Sequence, residues 1–163
     1  LEQDKKLPKA IVCDLDGTLA LFKDIYNGLD ENGNPIYLNL RNPYDASTSD
    51  NDIVNEPVSN VIRQFFKAGY EIIFLSGRLD IYREATEKFL KKAFEKDNLT
   101  KYHLFMRIDQ DFRKDAIIKK ELFMNNVQNK FFVEFILDDR KQVVDMWRNE
   151  LGLTVFQVAE GDF

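Results

Sequence analysis

Short apolar runs alternate with amphipathic helical segments along most of this chain, and that alternation limits the fold more than any other feature. Residues 10–13, 70–75, 102–106, 131–137 and 154–158 read as strands. Between them, Val58, Val61, Ile62, Phe65 and Phe66 recur at helical spacing behind Pro57 and stop at Gly69. A second helix capped by Asp80 carries Ala85, Phe89 and Phe94. A third opens at Lys114 with Ile117, Ile118, Leu122 and Phe123 on one side. A fourth turns Val143, Val144 and Trp147 inward and ends at Gly152. This order predicts an α/β fold, a Rossmann-like parallel sheet flanked by helices. At 163 residues the chain is the size of a single domain spanning 1–163. The one departure is the Asn-, Asp- and Gly-rich stretch 23–52. There Asp30-Glu31-Asn32-Gly33-Asn34-Pro35 predicts a β-hairpin flap after the first strand, an insert at about residues 22–40.

The polar residues collect where such strands end. Ala10, Ile11, Val12 and Cys13 run into Asp14 and Asp16, which share a side of an extended chain. The second strand runs into Ser76-Gly77-Arg78 and the fourth into Asp138-Asp139, while Asp111, Arg113 and Lys114 lie at the start of the third helix. In a parallel sheet the strand C-termini share one edge, so these segments converge on one crevice. Carboxylates packed together repel unless a cation or shared proton uses them. Hard oxygens of this kind suit Mg²⁺ together with a substrate phosphate. Arg and Lys complement a phosphate dianion, and the Ser76 hydroxyl with backbone N–H groups can hold its remaining oxygens. One Asp can attack phosphorus while a second, two residues on, protonates the leaving alkoxide.

These residues resemble known motifs. Asp14-Leu15-Asp16-Gly17-Thr18, Ser76, Lys114 and Asp138-Asp139 resemble the four motifs of the haloacid dehalogenase superfamily of phosphohydrolases. Longer blocks are similar to the 3′-phosphatase domain of phage polynucleotide kinase-phosphatases. They are Arg41-Asn42-Pro43-Tyr44-Asp45, Leu75-Ser76-Gly77-Arg78, Asp111-Phe112-Arg113-Lys114-Asp115, residues 138–148 and residues 157–163. The resemblance implies Asp14 as nucleophile and Asp16 as general acid and base. Thr18, Ser76, Gly77, Arg113 and Lys114 would then line the phosphate site. Arg41, Arg78 and Asp111 match residues the family requires. Asp138 and Asp139 would anchor Mg²⁺ with Asp14 and the Asp16 backbone carbonyl. It further implies DNA or RNA 3′ ends as substrate, with a homo-oligomer and a kinase or ligase partner in prospect. The segment between Asp16 and Arg41 is longer than in the best-known phage enzyme. No G-x-x-x-x-G-K-[ST] phosphate loop occurs in the chain.

The same residues admit other readings. Asp14-x-Asp16-Gly17 as a calcium loop fails, because a strand precedes it and no acidic pattern completes the cycle. The pair Asp138-Asp139 could simply cap the helix beginning near Arg140, and Ser76-Gly77-Arg78 could be an ordinary turn. His103 reads as a strand residue and Cys13 as buried and inert. Lys88, Lys91, Lys92 and Lys96 read as a solvated helix face. A net charge of −5 argues against a general nucleic-acid coat protein. The single cysteine excludes an intrachain disulfide and points to a reducing cytoplasm. No apolar run approaches the ~20 residues of a membrane helix.

The expected function is a Mg²⁺-dependent phosphomonoesterase removing 3′-phosphates, or 2′,3′-cyclic phosphates, from polynucleotide ends through an aspartyl-phosphate. The intervals after the first and second strands are too short for a large cap domain, so the crevice stays open to a bulky substrate. A phosphatase of nucleotides, small metabolites or phosphoproteins is the alternative. A non-catalytic docking module of a repair assembly is the third reading.

Overall fold

The computed structural model describes residues 1–163. In chain order, β1 (Lys9–Cys13) is followed by β2 (Ala20–Leu21), β3 (Ile25–Leu29), β4 (Pro35–Leu38) and β5 (Ile53–Val54). Then come α1 (Glu56–Lys67), β6 (Glu71–Leu79), α2 (Arg83–Phe94), β7 (His103–Arg107), α3 (Asp115–Asn126) and β8 (Phe132–Asp138). Helix α4 (Lys141–Asp145) continues as a π-helical turn over Met146–Glu150 and leads into β9 (Val155–Gln157).

Five of these strands form one sheet in the order β7-β6-β1-β8-β9, and every pairing in it is parallel. The chain builds outward from β1 through β6 to β7, then returns to the other side of β1 for β8 and β9. The order therefore reverses between β1 and β8, the place where open α/β sheets leave a crevice at their strand C-termini. The remaining strands pair antiparallel, β2 with β5 and β3 with β4. The predicted hairpin is thus present and turns at Gly33, whose φ of 83° favours glycine.

Period-two alternation divides the core. Ile11 and Cys13 pack with Ile72, Phe74, Phe135 and Leu137 against α1 and α2, through Val58, Ile62, Phe89 and Phe94. Ala10 and Val12 point the other way with Ile73, Leu75, Val133 and Ile136, against Phe123 on α3 and Val143, Val144 and Trp147. The central strands β1, β6 and β8 are buried on both faces over most of their length, which is why their runs read as continuously apolar.

Three details differ from the sequence reading. Asp80 does not cap α2; it opens a 3₁₀ turn over Asp80–Tyr82, and α2 begins behind Tyr82. Strand β6 does not stop at Leu75. It stays extended through Ser76, Gly77 and Arg78 to Leu79, with an irregularity in its pairing to β7 between Ser76 and Leu79. On α3, Ile117 is exposed, and Lys119 is buried beside Ile118 and Phe123. The polar interior of the crevice draws a lysine inward where hydrophobicity alone selects isoleucine. No helix is long and apolar enough to cross a membrane.

Candidate active site

The Asp14 N–H donates to the Leu137 carbonyl at 2.9 Å, carrying the β1–β8 ladder one step past the end of β1. Asp14 is thereby set beside Asp138. Both continue the alternation of Val12 and Ile136, so both face the α3–α4 layer. There Lys119 Nζ donates to Asp14 Oδ1 at 2.8 Å and to Asp138 Oδ2 at 3.0 Å. Trp147 Nε1 adds a bond to Asp138 Oδ2 at 3.3 Å, and the Arg140 N–H reaches Asp138 Oδ1 at 3.3 Å. Lys119 is 1% exposed, and an ammonium so deep requires such partners. Burial pushes its amine down, but the charges of Asp138, Asp14 and Asp115 outweigh burial and hold it well above its ordinary value. Burial pushes the Asp14 carboxyl well up. Lys119 opposes that rise, while Asp138 and Asp139 add to it.

Asp139 completes an acidic triad with Asp14 and Asp138, one oxygen from each lying within 4.8 Å of the others. Thr18 Oγ1 sits between two of them, 3.0 Å from Asp14 Oδ2 and 3.1 Å from Asp139 Oδ1. Its one proton serves one carboxylate at a time. Burial and the neighbouring Asp138 raise the Asp139 carboxyl. Gly17 makes room for the pair. Its φ is +82°, and a Cβ there would overlap Asp139 Oδ2. Hard oxygens converging at this spacing, with Asp139 Oδ2 free of any donor, fit a divalent cation. Asp138 is committed instead to Lys119, Trp147 and the Arg140 N–H.

Asp16, two residues on, meets different surroundings. Its Oδ1 accepts from Arg41 Nη2 at 2.7 Å and from Arg78 Nε and Nη2 at 2.9 and 2.6 Å, leaving Oδ2 free. Behind the arginines lies Asp52, whose side chain is 1% exposed. It accepts from Arg41 Nε and Nη2, both at 2.9 Å, and from Arg78 Nη2 at 3.0 Å. Arg78 Nη1 is tied to Thr86 on α2 at 3.0 Å. Two buried guanidinium groups and two carboxylates thus brace one another, and only Asp16 reaches solvent, with 28% of its side chain exposed.

Two arginines also hold loops at the crevice. Arg41 Nη1 donates to the carbonyls of Asn42 and Asp45, at 3.3 and 3.4 Å. Arg107 Nη1 donates to those of Asp111 and Arg113, at 2.9 and 2.6 Å. Arg107 Nε bonds the Gly77 carbonyl at 2.8 Å and Nη2 reaches Asp115 Oδ1 at 3.1 Å. Gly77 lies so close to Asp115 that a Cβ there would overlap Asp115 Oδ1. Ser76 is buried, its Oγ accepting the Arg78 N–H at 3.1 Å.

The structure therefore gathers Asp14, Asp16, Thr18, Arg41, Ser76, Gly77, Arg78, Asp138 and Asp139 at one edge of the sheet. It does not bring Asp111, Arg113 and Lys114 to the carboxylates. Lys114 caps the start of α3 and is exposed. Arg113 is exposed and spent on Asp111 and Glu121, and its hydrogen bonds hold the Asp111 carboxyl down at about 2. The basic and acidic positions inside the site belong to Lys119 and Asp115, one helical turn further along. Asp16 gives no side-chain oxygen to the acidic triad. Sequence reasoning missed Lys119, Asp115 and Asp52. The i, i+4 spacing of Asp115 and Lys119 was the available signal for the first two; Asp52 lies in a polar stretch that offers none.

Comparison with known proteins agrees with this geometry. Residues 8–163 match the family model of the polynucleotide kinase PNKP phosphatase domain. A protein of Autographa californica nuclear polyhedrosis virus, named as a bifunctional polynucleotide kinase/RNA ligase, is 33% identical over 159 residues, 94% of this chain and 20% of its own length. A chain of the Pnkp1/Rnl/Hen1 RNA repair complex is 51% identical with a TM-score of 0.83, covering all of this chain and 46% of that one. The class C acid phosphatase of Bacillus anthracis shares the fold, with a TM-score of 0.55 at 15% identity over 96% of this chain and 67% of its own. This chain thus spans about a fifth of the viral relative and under half of the repair-complex chain. The chain belongs to the polynucleotide kinase PNKP phosphatase domain family of the haloacid dehalogenase superfamily.

Proposed function

We propose that this protein is a Mg²⁺-dependent phosphatase that removes 3′-phosphates from polynucleotide ends through an aspartyl-phosphate on Asp14. One observation carries this reading: Asp14 and Asp16 leave the same strand into opposite surroundings. Asp14 is buried against Lys119 and the acidic triad, while Asp16 is braced at the rim by Arg41 and Arg78 with one oxygen free. A nucleophile must lie where the Lys119 ammonium and a cation can meet the phosphoryl group, and the acid and base must present a free oxygen to the leaving group and to water. The two positions support that division.

In the first step a carboxylate oxygen of Asp14 attacks phosphorus and the P–O3′ bond breaks. The free Asp16 oxygen delivers its proton to the leaving 3′-oxygen. In the second, Asp16 takes a proton from water, which attacks the aspartyl-phosphate and releases inorganic phosphate. Lys119, 2.8 Å from Asp14, offsets charge gathering on the transferring group, and the Ser76 hydroxyl would bond one of its oxygens. Asp14, Asp139 and the Asp16 carbonyl would hold Mg²⁺, with Asp138 steering Lys119. The bound ion supplies charge neutralisation of the phosphoryl oxygens.

The short connections around the crevice support an open site, which suits a polymer end. The named activities of the longer relatives support work on DNA or RNA ends beside kinase and ligase activities.

The test is phosphate release from a 3′-phosphorylated oligonucleotide and from its 5′-phosphorylated twin, with Mg²⁺ and with EDTA. Metal-dependent release from the 3′ end alone is expected, and Asp14→Asn abolishes it. Equal release from both ends would overturn the end specificity. Full activity of Asp14→Asn would overturn the nucleophile.

A further inference from the structure

The two most exposed large hydrophobic side chains of the protein are Tyr44 at 89% and Phe112 at 82%. They stand on loops built the same way. Arg41 Nη1 bonds the carbonyls of Asn42 and Asp45 and so brackets Tyr44. Arg107 Nη1 bonds the carbonyls of Asp111 and Arg113, the two neighbours of Phe112. Each arginine is also anchored in the crevice: Arg41 on Asp16, Arg107 on the Gly77 carbonyl beside Ser76. Aromatic rings pushed into water forfeit burial, and here two loops are fastened so that they must.

We infer that Tyr44 and Phe112 are stacking posts for the nucleobases adjoining the terminal phosphate. Inside the crevice the chemistry handles only the phosphate, and nothing there reads a base. The loop tips offer flat apolar faces rather than free cations. Arg113 beside Phe112 is spent on Asp111 and Glu121, and Asp45 beside Tyr44 is anionic, so a backbone phosphate gains little there. Every base has a π-face, and ring stacking therefore selects unpaired polynucleotide ends without selecting sequence. The inference rests on the proposed 3′-phosphatase activity and adds the two side chains that would hold the terminal bases.

The experiment compares steady-state phosphate release from a 3′-phosphorylated oligonucleotide and from a twin whose last two nucleotides are abasic. Tyr44→Ala and Phe112→Ala are expected to raise KM for the first by about 5- to 100-fold with little change in kcat. Both variants should act on the abasic twin as the wild type does, and Tyr44→Phe and Phe112→Trp should retain the wild-type KM. Alanine variants that match the wild type on both substrates overturn the inference, as do variants that raise KM equally on both. Oligonucleotides carrying 2-aminopurine at the last two positions give a second readout that is independent of turnover. Binding should quench their emission with the wild type and less with either alanine variant. Equal quenching overturns the stacking. An inactive wild type that still quenches would instead overturn the proposed activity.

Discussion

Lys119 Nζ lies 2.8 Å from Asp14 Oδ1, from a helix on one face of the sheet to the strand end at its centre. The same ammonium reaches Asp138 at 3.0 Å, so one positive charge is shared between the ends of two adjacent strands. Lys119→Met leaves these carboxylates buried without a cation. The expected loss is about 3–5 kcal/mol of stability and at least ~100-fold in phosphate release. Lys114→Ala, on the exposed cap of the same helix, should leave both nearly unchanged. Denaturant unfolding and phosphate release on the two variants check this, and the opposite ranking would return the role to Lys114.

Asp52 is expected to matter as much as residues that touch substrate. Asp52→Ala leaves Arg41 and Arg78 sharing Asp16 alone, at a cost of about 3–5 kcal/mol. Asp16 is then drawn further into the arginines and its free oxygen loses its aim, so kcat should fall as well. Urea unfolding with steady-state kinetics would show both effects; a stable, active variant would mean that the two arginines hold Asp16 unaided.

Asp115 gives the protein a pH signature. Burial pushes its carboxyl up, but Lys119, Arg140 and Arg107 outweigh burial and hold it below its ordinary value. A folded-state value below the unfolded one stabilises the fold fully above the unfolded value of about 3.9. That contribution is lost as pH falls through the folded value. The wild type should therefore unfold at higher urea than Asp115→Asn near neutral pH, and the gap should shrink below about pH 4. A gap that is constant with pH would show that the three cations do not act on Asp115 as a charge.

Divalent metal should stabilise the protein through the acidic triad. At a hundredfold excess over Kd, Mg²⁺ adds about 2.7 kcal/mol, or roughly 5–10 °C in Tm for a chain of this size. Asp139→Asn should abolish the shift. So should Gly17→Ala, because its Cβ would overlap Asp139 Oδ2. Thermal melts with Mg²⁺ and with EDTA decide it, and an undiminished shift in Asp139→Asn would move the metal elsewhere.

Much of the fold was legible because burial on both faces leaves its mark in the sequence. The apolar runs around Val12, Phe74 and Ile136 could be nothing but interior strands, and carboxylates directly after such runs mark a crevice. Gly33 and Gly69 announced a turn and a helix end. The parts that stayed hidden depend on tertiary contact. Lys119 reads as a solvated helix residue until α3 is laid on the sheet and its amine meets Asp14. Lys114 stands nearer the motif in sequence but at the wrong turn of the helix, and a shift of one turn moved both the base and the acid. Asp52 is linked to Asp16 only through two arginines that come from different parts of the chain. Strand β6 outran its apolar pattern: it passes through Gly77 and Arg78 without a β7 partner and pairs again at Leu79.

Arg41 and Arg107 grip their loops by backbone carbonyls, and a carbonyl is the same whatever side chain its residue carries. The tips can therefore exchange residues without disturbing the frame beneath them. Descendants of this fold are free to retune what they recognise at positions 44 and 112 while the chemistry at Asp14 stays constant. An engineer seeking a new end preference has two positions to randomise and no reason to touch the rest.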